Sequence, residues 1–160
     1  LKDHDIVFEV RVTDFLYENN MDKRGFSRMG AEAIACATDQ NRFWDYYHQA
    51  IRRLWQDYHS KGIGSSKNAP AIKDLTPAYW ESIASDVKLD NSFKSCLSEH
   101  KMLETVKQNT ADATTLMLRH NLGGMPSFKF NNFTSSGFDT NWDYSYVERY
   151  LAAGLDKNLK

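Results

Sequence analysis

The chain has 160 residues, of which 41% are hydrophobic and 26% are charged, a composition typical of one globular domain rather than a disordered or fibrous protein. Its 20 basic and 21 acidic side chains leave a net charge of -1 without a Lys/Arg stripe, which argues against a nucleic-acid partner. The longest apolar runs, such as residues 33–37, fall far short of the ~20 residues that span a bilayer. The sequence therefore predicts either a cytosolic protein or one whose targeting segment lies upstream.

The first half of the chain predicts one strand followed by helices. Residues 5–15 alternate apolar and polar side chains with period two, which predicts a strand. Ser27 can cap a helix over residues 28–38, which is rich in small side chains. Apolar residues recur every three or four positions over residues 43–58, which predicts the clearest amphipathic helix of the chain. Residues 60–70 are rich in Gly and Ser and predict an exposed loop.

Three further helices are predicted between this loop and a Gly-Gly pair. Thr76 and Pro77 are typical of the start of a short helix, and Asp90 is a suitable cap for the next one. A longer helix is predicted from about Met102 to His120, and Gly123 can supply the left-handed residue that ends it.

The last 40 residues change in character. Residues 127–130 and 133–136 are short runs that flank an Asn-Asn pair, which favours a hairpin. Asn141 or Asp143 then caps a final predicted helix. The predicted order is strand, helices, Gly-Gly-Met-Pro, hairpin and helix, without an internal repeat.

The two cysteines do not form a catalytic dithiol. A dithiol of that kind needs both thiols about one turn apart at a helix N-terminus, where the thiolate is stabilised. Cys36 and Cys96 are instead far apart, each in the middle of a predicted helix. From the residues alone two alternatives remain: a disulfide between them, or two buried free cysteines that act as small hydrophobes.

The order of these elements, with particular segments in it, resembles the thioredoxin-fold proteins of the DsbA type. The matching segments are Ala31-Glu32-Ala33 through Cys36-Ala37, Asp39–Tyr47 (DQNRFWDYY), Phe93–Leu97 (FKSCL), Leu122–Phe128 (LGGMPSF) and Val147–Leu155. The resemblance implies the α/β class and a single domain over residues 1–160: a thioredoxin-like sheet with a helical insertion over about residues 27–120. Residues 121–160 would supply the cis-proline loop, the β-hairpin and the closing helix.

Members of this family carry another strand and a helix that opens with Cys-x-x-Cys ahead of the strand that matches residues 5–15. If residues 10–15 instead preceded the redox motif, residues 17–20 (YENN) would replace the cysteines, but too few residues would remain for the active-site helix. We therefore expect a fold that is incomplete at its N-terminus. Its unpaired sheet edges would favour a homo-oligomer.

The resemblance also implies two kinds of site residue. Several extracytoplasmic members link the helices that match Cys36 and Cys96 by a structural disulfide, which implies an oxidising compartment: the periplasm, the cell envelope or the outside of the cell. An upstream signal peptide or membrane anchor would direct the chain there. Gly124, Met125 and Pro126 match the cis-proline loop that pairs with substrate, although the family usually has a β-branched residue before the proline. The alternative is a helix-ending Gly-Gly followed by a trans proline.

The function implied by the resemblance is that of a thiol-disulfide oxidoreductase domain that lacks its catalytic dithiol. Its partners would be protein or peptide thiols, held through a mixed disulfide formed by an upstream cysteine, and no cofactor is expected. The alternative is a non-catalytic thioredoxin-fold module that binds peptides or proteins. The sequence leaves open whether the chain belongs to an enzyme.

Other chemistry-bearing residues predict no further site. No pair with metal-ligand spacing occurs among the histidines, which are His4, His48, His59, His100 and His120. Core packing is favoured over a ligand groove for the aromatic stripe of Phe43, Trp44, Tyr47, Trp55 and Tyr58. The glycosylation sequon that begins at Asn132 is a short motif that often arises by chance.

Overall fold

The structure is a computed structural model that describes residues 7–64, 68–124, 126–131 and 133–136. The chain divides into two compact units, one of residues 11–110 and one of residues 1–10 with 111–160. The described elements are the helices α1 (Phe15–Glu18), α2 (Phe26–Thr38), α3 (Phe43–Asp57), α4 (Pro77–Asp86), α5 (Asn91–Ser98) and α6 (Leu103–His120), a 3-10 turn (His59–Lys61), and the strands β1 (Ser127–Phe130) and β2 (Phe133–Ser136).

The fold over the described residues is predominantly helical, so the predicted α/β class is wrong. Their one sheet is an antiparallel hairpin in which Phe128 lies opposite Ser135 and Lys129 lies opposite Thr134. No thioredoxin-like sheet is present in this part of the chain. The resemblance to DsbA-type proteins is wrong for the same reason, and the thioredoxin-fold and oxidoreductase descriptions drawn from it lose their support.

The predicted strand over residues 5–15 shows why the fold class failed. Residues 7–14 have no regular secondary structure, although a strand is predicted over residues 5–15, and α1 begins at Phe15. The backbone N–H of Asp14 donates to Thr110 Oγ1 at 3.0 Å, and the carbonyl of Val12 accepts from Asn109 Nδ2 at 3.2 Å. Because α6 side chains bind these backbone groups, residues 12–14 pack on the helices without pairing to another strand.

The hairpin has the bounds that the sequence predicts. Asn131 adopts the left-handed conformation with φ 53° at the turn, as hairpin turns of this length require. The predicted closing helix after Asn141 or Asp143 lies outside the described residues.

The central helix α2 begins at Phe26, ahead of the predicted start. Ser27 is not its cap; the carboxylate of Asp22 accepts hydrogen bonds from the N–H of Ser27 at 2.6 Å and from its hydroxyl at 2.8 Å. A Cβ at Gly30 would lie 3.0 Å from the ring of Trp80, so glycine lets α4 pack closely against α2. Small side chains on α2 thus allow its neighbours to approach.

The remaining helix ends agree with prediction except at two points: the side chain of Thr76 makes no capping hydrogen bond, and Gly123 does not supply the left-handed residue after α6. Pro77 is the first residue of α4, and Asp90 caps α5 by accepting from the N–H of Ser92 at 2.7 Å. The left-handed residue that follows α6 is Asn121, with φ 51°, and not Gly123.

The core of residues 11–110 lies between α2, α3, α4 and α5. The ring of Tyr46 on α3 packs against Phe93 on α5 with centroids 5.1 Å apart, and its hydroxyl donates to the carbonyl of Trp80 at 3.0 Å. Within the part of the chain that the structure describes, no helix has both the length and the apolar character needed to cross a bilayer.

Candidate functional site

The residues that the resemblance assigned to a substrate loop are described only in part. Met125 lies outside the described residues, while the carbonyl of Gly124 accepts from the hydroxyl of Ser127 at 2.7 Å. Pro126 is half-buried at the start of the hairpin. The role given to Gly124, Met125 and Pro126 stays a prediction, now without the fold that suggested it.

A disulfide joins Cys36 on α2 to Cys96 on α5, with the two Cα atoms 5.9 Å apart. The cysteines are only 1% and 5% exposed, and neither is free. Thiol exchange requires a thiolate to reach one of the sulfur atoms, which this burial prevents while the domain is folded. The disulfide therefore stabilises the packing of α2 on α5 and has no accessible redox chemistry.

The histidines that the structure describes lie apart from one another. Nδ1 of His59 lies 3.1 Å from the carbonyl of Ile63, and Nδ1 of His100 lies 3.0 Å from the buried carboxylate of Glu32. Among the described residues no group of His, Cys, Asp and Glu could hold a metal ion. His4 lies outside these residues.

A buried polar cluster was missed by sequence reasoning. Asp14 is fully buried and accepts hydrogen bonds from the hydroxyl of Thr110 at 2.6 Å and from Nε of Arg28 at 2.6 Å. Arg28 also pairs with Glu18 and lies over the ring of Tyr17 at 3.9 Å. Both oxygens of the Asp14 carboxylate are hydrogen-bonded, so the cluster offers no free reactive group. It instead ties the segment before α1 to α2 and α6.

The clearest candidate for function is one side of α3. Its inner face, formed by Tyr46 and Ala50, is fully buried in the core. Its outer face carries Ile51 and Trp55, which are 50% and 61% exposed, together with Trp44, which is 43% exposed. These three side chains are spaced by two turns and by one turn, so they form a single apolar row along the helix.

The rings at the start of this row are ordered by mutual contacts. The Trp44 ring lies edge-on to Tyr47 with centroids 6.0 Å apart and lies 5.7 Å from the ring of His48. Tyr47 in turn stacks on Phe43 at 5.7 Å. Such contacts restrict the side-chain rotamers, which lowers the entropy that a partner must overcome on binding. We call Trp44, His48, Ile51 and Trp55 the outer face of α3.

An open cleft of about 450 Å³ runs along one flank of the outer face, between α3 and the end of α4. Its lining, which we call the cationic cleft, consists of Arg42, Asp45, His48, Gln49, Arg52, Asp86, Val87 and Lys88. His48 belongs to both surfaces, so the apolar row and the cleft are continuous.

Both carboxylates of the cationic cleft are already neutralised. Asp45 pairs with Arg42, and Asp86 accepts hydrogen bonds from Arg53 Nη1 at 2.9 Å and from Gln49 Nε2 at 3.1 Å. The hydrogen bond with Asp57 is the main reason that the pKa of Arg53 is raised, so this guanidinium stays charged beside Asp86. Within the described residues, Arg52 and Lys88 have no ion-pair partner.

The backbone holds Arg42 in place and is strained at Lys88. Arg42 donates from Nη2 to the carbonyl of Val87 at 2.9 Å, which ties the start of α3 to the end of α4. Lys88 adopts a left-handed conformation with φ 59°, a conformation that favours glycine and costs other residues about 1 kcal/mol. A lysine therefore occupies a position where glycine would be the more stable choice.

The comparisons with known proteins add no assignment. No protein-family model matches the chain, and no match was found among the curated proteins or the solved structures. No relative therefore supports the DsbA-like interpretation, and the candidate site depends on its own geometry.

Proposed function

We propose that this chain is a disulfide-linked helical domain that binds a segment of a partner protein on the outer face of α3. The observation that carries this proposal is the exposure of Ile51 and Trp55 on the side of α3 opposite its buried face. Tryptophan is enriched among the residues that dominate protein interfaces, and a row of large apolar side chains is unfavourable in water.

The length and flanks of the row favour a protein segment. From Trp44 to Trp55 the row extends about 16 Å along the helix axis, which matches a few turns of a helix or a short extended peptide. A membrane surface is a weaker candidate. Segments that bind anionic lipids carry clusters of roughly four to eight Lys or Arg residues. The cationic cleft instead has carboxylates among its lining residues.

The binding proposal can be tested by selecting random 15-residue peptides on the immobilised full chain. We expect enriched peptides with large apolar side chains, and we expect Trp55→Ala to weaken them by about 30-fold, as loss of an interface tryptophan does. Met21→Ala is the matched control, because Met21 is an exposed apolar residue outside the outer face. It should leave the affinity unchanged.

Three results would overturn the binding proposal. The first is that no peptide is enriched, or that the enriched peptides bind Trp55→Ala as well as wild type. The second is self-association in sedimentation that Trp55→Ala abolishes, since a second copy would then be the occupant. The third is binding to phosphatidylcholine/phosphatidylglycerol vesicles that requires Trp55.

The compartment forms a second part of the proposal. The Cys36–Cys96 disulfide supports an oxidising, extracytoplasmic location, because disulfides persist there and are rare in the reducing cytosol. Alkylation of thiols in intact producing cells, followed by intact mass, should add no alkyl group before reduction and two after it. Two groups added without reductant would contradict this location.

A further inference from the structure

The cationic cleft is the feature that says most about the chemistry of a partner. It carries three cations against two carboxylates in a chain whose net charge is -1, so it is a local positive region on a slightly acidic protein. Both carboxylates are paired, whereas Arg52 and Lys88 have no ion-pair partner among the described residues.

We infer that the cationic cleft binds carboxylate side chains of the partner segment through Arg52 and Lys88, so that the partner is acidic beside its apolar anchor. This inference rests on the proposed function and deepens it. Arg52 follows His48 by one turn of α3, so a segment with its apolar side chain on the outer face would place neighbouring residues over the cleft. Guanidinium and ammonium groups match carboxylates in charge and hydrogen bonding.

The backbone at Lys88 supports this assignment independently of exposure. A left-handed residue after a helix is most often glycine or asparagine, and lysine there lowers stability. Lys88 nevertheless lines the cleft together with Arg52 of α3. Arg42, bonded to both Asp45 and the carbonyl of Val87, holds the two walls together.

The inference can be tested with two probes that lack any apolar anchor: acetyl-tetraglutamate amide and acetyl-tetraglutamine amide. Each is titrated into the ¹⁵N-labelled full chain at low salt, following the side-chain Nε–H of Arg52 and the backbone amides of residues 86–88. We expect the glutamate peptide to shift these signals with a millimolar Kd that weakens as salt rises. The glutamine peptide should leave them unshifted.

The double variant combines Arg52→Gln with Lys88→Gly. Its matched control is Lys73→Gln, which removes a cation outside the cleft. The double variant should weaken the glutamate peptide at least 10-fold, while Lys73→Gln should change its Kd less than twofold. Because glycine suits the left-handed backbone at residue 88, Lys88→Gly should not lower the thermal midpoint of unfolding. A folding defect would therefore not explain a loss of affinity for the glutamate peptide.

The outcomes separate this inference from the proposed function. If the glutamate peptide binds equally to the double variant, or if the glutamine peptide shifts the same signals, carboxylate recognition is wrong even where Trp55→Ala still abolishes the selected peptides. If the double variant loses the glutamate peptide but Trp55→Ala has no effect on selected peptides, the cleft stands and the apolar docking face is wrong.

Discussion

The two faces of α3 carry similar residue types and have opposite environments. Tyr46 and Ala50 on the inner face are fully buried, whereas Ile51 and Trp55 on the outer face are half exposed or more. The difference lies in what the neighbouring helices offer: α2 is rich in small side chains and α4 supplies a carbonyl acceptor, so a tyrosine can be buried with its hydroxyl bonded. No such complement among the described residues covers Ile51 and Trp55.

The largest effect that would sharpen this comparison is expected on the inner face. Tyr46→Ala removes a fully buried ring and its contact with Phe93, and we expect it to lower the free energy of unfolding by about 4 kcal/mol. Urea denaturation followed by circular dichroism would measure this loss.

Tyr46→Phe is the matched control for the ring itself. It keeps the packing and removes only the hydrogen bond to the carbonyl of Trp80, so the expected loss is about 1 kcal/mol. Equal losses for the two variants would mean that the hydroxyl, and not the buried ring, stabilises the inner face.

Sequence periodicity predicted the positions of the helices better than it predicted which helix faces are buried and which are exposed. The bounds of α3 and of the hairpin, and the cap at Asp90, follow from local signals: spacing, an Asn-Asn pair and a capping side chain. Residues 7–14 misled, because period-two alternation reports only that alternate side chains face a surface. Here Phe8, on the face predicted to point inward, is 67% exposed, and the backbone at Val12 and Asp14 is bonded to the side chains of Asn109 and Thr110.

The candidate site was missed for a related reason. The sequence favours core packing for the aromatic stripe. Tyr58 is indeed buried, but Trp44 and Trp55 are exposed. Apolar residues occur around most of α3, so side-chain type alone could not separate the two faces. Ala50 was the one signal that could have identified the buried face, because a small residue marks the close approach of a neighbouring helix. The face centred on Ala50 includes Tyr46.

A smaller effect is expected at alkaline pH. Burial, followed by the hydrogen bond to Asp74, raises the pKa of Tyr58 from 10.0 to about 12. Burial also raises the pKa of Tyr46 and Tyr79. A raised folded-state pKa means that the folded protein holds its protons longer, so the associated stability is complete below pH 10 and is lost as pH rises toward about 12.

Chemical denaturation between pH 9 and pH 12 tests this dependence, with the pH range set by the Tyr58 pKa. Tyr58→Phe has no phenol at this position, so its stability should fall with a smaller slope than that of wild type. Identical slopes would show that Tyr58 titrates alike in the folded and unfolded states, and the buried environment assigned to it would be wrong.

The smallest effect is expected on the outer face, where Trp55→Ala and Ile51→Ala should each change the free energy of unfolding by no more than about 0.5 kcal/mol. Exposed side chains lose little on truncation because most of their surface already contacts water in the folded state. This result matters for function, since residues that add little to stability yet remain large and apolar are the ones a binding surface requires. A loss of about 3 kcal/mol from either variant, measured by the same urea denaturation, would place that side chain in the core and remove the basis for a docking surface on α3.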